Sequence, residues 1–215
     1  MFSGKKRQTP EKAADGIILK TMDYCYGKAV NGMPGFETAE QVARRYMDDD
    51  CSINDRALKL IRSQTAKAAT SGFVTGLGGI LTLPIAVPAN VSSVLYVQIR
   101  MIAATAFLAG YDLRDDKVKP LVYLCLCGND ATVVINQVGI QAGTNISAHT
   151  LLEVSGANIA KINQAVSMYL FKKLGQTGVA SLGKAVPLLG GIIGGTIDSI
   201  TTRNAGTAAM KVFVC

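Results

Sequence analysis

The longest uncharged segment runs for 32 residues, from Ala68 to Ile99, and it limits what this chain can fold into. Apolar transfer from water is favourable by roughly 0.8 kcal/mol per buried methylene, so the segment must be buried in protein or in lipid. It is not a regular membrane span, because Pro84 and Pro88 interrupt helical hydrogen bonding and polar residues follow them. The segment therefore indicates an apolar helical protein at or near a membrane.

Charged residues make up 17% of the chain, fewer than in ordinary soluble domains, and they are unevenly distributed. Residues 1–67 carry 21 of the Lys, Arg, Asp and Glu side chains, whereas residues 68–215 carry 16. The distribution predicts a flexible basic tail over residues 1–12 and a single helical domain over residues 13–215. Within that domain, residues 13–67 form the more polar part and the remainder forms the apolar core.

The formal net charge of +7 favours an anionic partner surface. At a cytoplasmic leaflet each nearby Lys or Arg contributes on the order of 1 kcal/mol. Nucleic acid is not expected, because the basic residues are scattered and no aromatic-rich basic motif accompanies them. The basic cluster Lys5–Arg7 lies in a polar tail that lacks the apolar region of a secretory signal, so we expect a cytoplasmic, non-secreted protein.

Catalytic and metal-binding motifs are not found. The GLGG segment at 76–79 lacks the lysine of a phosphate loop, and the S-x-x-K spacing of Ser181 and Lys184 lacks its partner motifs. His149 is the single histidine, so the five cysteines have no zinc-site pattern, and the acidic residues 48–50 lack the spacing of a calcium loop. We therefore expect no enzyme activity, no cofactor and no metal.

Helical periodicity and capping residues predict an all-α fold, a compact bundle of glycine-rich and closely packed apolar helices. Thr38 with Gln41, and Ser52 with Asp55, have the spacing of residues that cap helix N-termini. We predict a loop over 175–184 and no strands. The predicted helices cover 11–29, 37–47, 53–69, 89–108, a segment after Asp116, a segment from Asn129, 147–173 and 187–214.

Glycines recur at helical spacing in two apolar segments, which lets a second helix approach closely. Close packing within the fold is the favoured interpretation, and homo-oligomerisation in a membrane is the alternative. The stripe in the last segment continues through Asp198 and Thr202 to Gly206. The predicted helix-packing glycines are Gly72, Gly76, Gly79, Gly190, Gly191, Gly194 and Gly195.

Two charged residues stand in apolar surroundings. Arg100 is the only charge between Lys67 and Asp112, and Asp198 lies within the stripe of small residues. Since burying an unpaired charge is costly, we predict that Arg100 and Asp198 approach each other, with Arg203 as the competing partner. A structural ion pair and a functional polar site are both open interpretations. The candidate buried polar site comprises Gln98, Arg100, Asp198, Thr202 and Arg203.

Three blocks resemble, in order and spacing, the signature blocks of the EcsC family. They are GFVTGLGGILTLPIAVPANVSSVLYVQIRMIAA, GYDLRDDKVKPLVYLCLCG and LGKAVPLLGGIIGGTIDSITTRNAGTAAMKVF. The similarity extends from about Ile18 to Phe213 and is weakest over about 132–173. The family is named for a bacterial operon that also encodes an ABC transporter, so the resemblance implies a bacterial protein in a membrane setting. It implies no settled activity and no catalytic residues.

Three functions follow as hypotheses. The leading one is a non-catalytic protein on the cytoplasmic side of the inner membrane, peripheral or partly inserted, that binds membrane lipid or a membrane protein. The second is a membrane-perturbing or pore-forming effector, of a toxin or phage-defence type, in which segments 72–109 and 185–207 insert. The third is an enzyme that takes a lipid-like substrate in a pocket near Arg100 and Asp198.

Overall fold

A computed structural model describes residues 10–48, 50–68, 89–140, 147–152, 156–178 and 190–215 of the chain. In these ranges every regular element is helical, and the only strand-like pairing is an isolated bridge between Met33 and Phe36. The prediction of an all-α fold is therefore confirmed for this part of the chain.

The helix bounds agree closely with the sequence pattern in the first half of the chain, where the helix Ala89–Leu108 has the predicted ends. A 3₁₀ turn covers Gly128–Asp130, and a π-helical turn covers Met210–Val214. The helices are α1 (Pro10–Asn31), α2 (Ala39–Arg44), α3 (Ile53–Ala68), α4 (Ala89–Leu108), α5 (Val118–Cys125), α6 (Ala131–Gln137), α7 (Ala148–Leu152), α8 (Gly156–Gly178) and α9 (Gly190–Ala209).

Local capping fixes where α2 and α3 begin. The Thr38 hydroxyl accepts from the Gln41 backbone N–H at 3.1 Å, and the Gln41 side chain accepts from the Thr38 N–H at 2.9 Å. The Ser52 hydroxyl accepts from the Asp55 N–H at 3.2 Å and donates to the Asp55 carboxylate at 2.7 Å. Both capping predictions are confirmed, because these bonds satisfy N–H groups that have no partner inside the helix.

In the described part of the second half of the chain, one prediction is wrong. The loop predicted over 175–184 is wrong for its first four residues, because α8 continues to Gly178. A glycine inside a helix costs only about 1 kcal/mol relative to alanine, so Gly175 does not end α8. The helix predicted over 147–173 corresponds to α7 and α8, and residues 153–155 between them lie outside the described part.

The apolar helix α4 lies at the centre of the described fold. It contacts α1, α2, α3, α5, α9 and the C-terminal π-helical turn. Every residue from Leu95 to Ala106 is buried. A helix that is apolar around its whole circumference requires partners on all sides, and these neighbours supply them.

Among the described helices, only α4 has the length and apolar composition that a membrane crossing requires. The qualifying segment is Val91–Leu108, and 83% of it is buried inside the protein. The core helix of a soluble protein has the same composition. Length and hydropathy alone therefore do not make α4 a membrane span.

A glycine allows α9 to approach the core closely. A Cβ atom at Gly206 would lie 2.4 Å from Cγ2 of Ile61 in α3 and 3.4 Å from Cε of Met101 in α4. Gly206 belongs to the predicted small-residue stripe. The backbone of Gly190, Gly191, Gly194 and Gly195 forms the first turns of α9, but their packing lies outside the described residues, as do Gly72, Gly76 and Gly79.

We predict that Gly206→Ala lowers the free energy of unfolding by about 1–3 kcal/mol, because the added methyl overpacks the contact with Ile61. Gly27→Ala is the matched control in α1, where no atom lies within 4 Å of the added methyl. That control is expected to stabilise the protein by up to about 1 kcal/mol. Urea unfolding of both variants measures the difference, and equal effects would contradict the close packing of α9.

Candidate functional site

Arg100 is a buried cation in the middle of α4, with 4% of its surface exposed. Its guanidinium donates to Oε1 of Gln64 in α3 at 3.2 Å and to the backbone carbonyl of Glu37 at 3.4 Å. The ring of Tyr96 lies one helical turn earlier, with its centroid 5.4 Å from the guanidinium carbon. Neutral oxygens and an aromatic face therefore stabilise this charge and tie α4 to α3 and to the segment before α2.

Tyr96 remains a neutral phenol beside this cation. Burial raises the pKa of Tyr96 above its ordinary value, and the charge of Arg100 acts in the opposite direction with a smaller effect. The hydroxyl therefore does not supply a counter-charge at neutral pH. The pair is suited to packing and orientation, and it does not provide a general base.

Gln98 forms a second polar contact, between α4 and α9. Its side-chain nitrogen donates to Oγ1 of Thr201 at 3.1 Å and to Oγ1 of Thr202 at 3.3 Å. Gln98 and Thr202 are both buried. Because Gln98 precedes Arg100 by two residues, the two side chains leave α4 in different directions, and each fixes the position of a different neighbour.

Four of the five residues of the predicted polar site have described side chains. Gln98 and Thr202 are in contact, whereas Arg100 is buried against α3 and the segment before α2. Arg203 is exposed, so it does not share their buried surroundings. The side chain of Asp198 lies outside the described residues, and its pairing with Arg100 stays a prediction.

Gln64 is a partner of Arg100 that the sequence analysis missed. It lies on the buried face of α3, together with Ala57, Leu60 and Ile61. A glutamine on an otherwise apolar helical face is the signal that identifies such a residue, since its buried amide needs a partner. The carbonyl of Glu37 carries no sequence signal, because every residue has one.

The buried cysteines are unreactive at neutral pH. Burial raises the pKa of Cys25 and of Cys127 to about 12, and it raises the pKa of Cys125 well above its ordinary value. A thiol is nucleophilic as the thiolate, which these residues do not form near pH 7. The described side chains also contain no group of three His, Cys, Asp or Glu residues that could hold a metal ion.

We predict that the free energy of unfolding falls as the pH rises above 9. The thiols ionise near 9.0 in the unfolded chain, whereas the raised pKa of Cys25 and of Cys127 delays ionisation in the folded protein to about 12. Because the thiol ionises only in the unfolded chain over this range, each buried cysteine lowers the free energy of unfolding by about 1 kcal/mol between pH 9 and 10. Urea unfolding at both pH values measures this loss.

The control for the pH experiment is the C51S/C215S variant, because Cys51 is half-buried and Cys215 is exposed. It is expected to keep the same loss of stability between pH 9 and 10. If removal of these two thiols abolished the loss, the assignment to the buried cysteines would be wrong.

We predict that Gln64→Leu destabilises the protein more than Gln98→Leu does. The first change removes an acceptor from a buried guanidinium, which costs about 1.5–3 kcal/mol, whereas a bond between neutral groups is worth about 0.5–1.5 kcal/mol. Thermal or urea unfolding of the two variants compares them directly. Equal losses would show that Arg100 does not depend on the bond to Gln64.

The described helices form an all-α fold packed around the buried apolar helix α4, and hydrogen bonds of Gln98 and Arg100 tie α4 to its neighbours. The model of the EcsC protein family matches residues 7–214, nearly the whole chain. The chain therefore belongs to the EcsC protein family, as the three sequence blocks predicted. No curated protein and no solved structure gives a significant match to it.

Proposed function

We propose that this EcsC-family protein is a non-catalytic protein that binds anionic lipid peripherally at the cytoplasmic face of a membrane. The observation that supports the proposal most strongly is the burial of α4. The one described helix that is long and apolar enough to cross a membrane is surrounded by protein, so it needs no lipid to cover it. The charged outer surface is then the part of the protein that contacts a membrane.

The basic charge on that surface is concentrated near the C-terminus. Residues 156–215 contain six Lys and Arg residues and a single acidic residue, Asp198. Five of the six are exposed in the structure, on α8, on α9 and on the π-helical turn. Such a surface attracts anionic lipid by an electrostatic interaction that salt screens. The exposed residues are Lys161, Lys172, Lys173, Arg203 and Lys211.

A pore formed by insertion of α4 is less compatible with the contacts. Arg100 would exchange the oxygens of Gln64 and Glu37 for hydrocarbon or for new partners. A central arginine costs at least about 2.5–3.5 kcal/mol in a membrane helix. Insertion would also separate α4 from the helices that now cover it. Peripheral binding requires neither change.

We predict that the purified protein, without detergent, floats with phosphatidylglycerol vesicles and not with neutral phosphatidylcholine vesicles. Since the Debye length falls to about 3 Å at 1 M salt, a high-salt wash is expected to release it. Dye trapped in the same vesicles is expected to stay inside. Flotation and leakage are measured in the same tubes.

Two results would contradict the proposal. Salt-resistant flotation with dye leakage would support insertion and the pore hypothesis. A lack of flotation with either vesicle would show that the basic surface does not bind lipid, and it would direct the search to protein partners.

A further inference from the structure

An open groove of about 520 Å³ lies between α6 and α8. It is separate from the polar contacts of α4, and none of its lining residues belongs to the predicted polar site. We call it the α6–α8 groove. Its lining residues are Gln137, Val138, Lys161, Gln164, Ala165, Met168, Tyr169 and Lys172.

One wall of the groove is an exposed face of α8. Lys161, Gln164, Met168 and Lys172 are all exposed, and their spacing of three, seven and eleven residues from Lys161 places them on one side of the helix. At a rise of about 1.5 Å per residue, the two lysines stand roughly 16 Å apart along α8. Uncharged side chains, including the thioether of Met168, occupy the space between them.

Asp130 is an acidic residue beside the groove, and Tyr169 already binds it. The Tyr169 hydroxyl donates to a carboxylate oxygen of Asp130 at 2.5 Å, and the Lys173 amine donates to the Tyr169 hydroxyl at 2.9 Å. Burial and the bond to Asp130 raise the pKa of Tyr169, so it keeps the proton that it donates. Among the described residues no acidic side chain forms an ion pair with Lys161 or Lys172.

We infer that the α6–α8 groove binds the phosphate headgroups of anionic phospholipids, with Lys161 and Lys172 at the phosphates and Met168 against the apolar part of the interface. This inference rests on the proposed function and names the site that would perform it. Two cations with an apolar side chain between them are complementary to a lipid surface, where phosphates lie above the acyl chains.

An acidic protein is a weaker match for the same surface. Met168 is 37% exposed between the lysines, and Val133, one turn before Gln137 on α6, is 55% exposed. Lysine amines also suit a membrane interface, because their long stems lie along apolar surface while the charge reaches the headgroups. The exposed apolar and cationic groups therefore favour lipid.

The absence of tryptophan from the sequence allows a site-specific test. We expect the fluorescence of the M168W variant to shift to shorter wavelength when phosphatidylglycerol vesicles are added, and to stay unchanged with phosphatidylcholine vesicles. The matched control is L58W. Leu58 is also an exposed apolar residue, but it lies on α3, which contributes no residue to the groove or to the basic surface near the C-terminus, so no shift is expected there.

A charge test uses the K161Q/K172Q variant. Because a lysine near an anionic leaflet contributes about fivefold in affinity, the double change is expected to weaken vesicle binding about 25-fold. The K20Q/R62Q control removes the same charge from exposed positions on α1 and α3, outside the groove and outside the basic surface near the C-terminus, and is expected to weaken binding far less. The circular dichroism of all variants is compared with that of the unmodified protein, and if one variant fails to fold, the other test stands alone.

The outcomes separate this inference from the proposed function. If the unmodified protein does not float with phosphatidylglycerol vesicles, both fail. If it floats, but M168W shows no shift and the two charge variants bind alike, only the groove assignment is wrong. A shift of M168W with polyglutamate and not with vesicles would identify an acidic polypeptide as the partner and overturn the lipid assignment.

Discussion

The arrangement of the described helices depends on the burial of α4 (Ala89–Leu108). A helix with apolar residues on every side can be stable in water only when other elements cover most of its surface. The helices α1, α2, α3, α5 and α9 do so together with the π-helical turn, and 83% of the segment Val91–Leu108 is buried. Two polar side chains then fix how these neighbours align. Arg100 joins α4 to Gln64 and the Glu37 carbonyl, and Gln98 joins it to the threonines of α9.

The sequence was sufficient where the information is local. Gly110 adopts a positive φ of 91° immediately after α4, which explains why the end of this helix could be predicted. The capping bonds of Thr38 and Ser52 likewise join residues only three positions apart. The burial of Arg100 follows from its position as the one charge in a long apolar segment.

The remaining features depend on contacts between distant parts of the chain. Gln64 and Glu37 lie 36 and 63 residues from Arg100, so no local pattern could pair them. Tertiary packing also decides which glycines lie against a neighbouring helix. In the described part, Gly206 lies against Ile61 and Gly128 lies against Asn204. The α6–α8 groove arises from the packing of two helices and has no motif. The sequence therefore showed Lys161 and Lys172 only as two of many scattered basic residues.

These features connect the fold to the proposed function. Burial raises the pKa of the thiols of Cys25, Cys125 and Cys127, and the described residues show no metal cluster. The proposed function places contact with a partner at the surface. That surface is basic near the C-terminus, where α8 presents lysines on both sides of an exposed methionine. A buried α4 and a cationic exterior together favour a protein that binds to a membrane without entering it.

Hydrogen exchange at the α4 amides tests most directly whether this helix is a protein core that stays intact at a membrane. The experiment compares the protein in detergent-free buffer with the protein bound to phosphatidylglycerol vesicles. We expect slow exchange over Leu95–Ala106 in buffer, and the same slow exchange after vesicle binding. Rapid exchange in buffer that becomes slow only with vesicles would contradict it, because α4 would then depend on lipid for its burial.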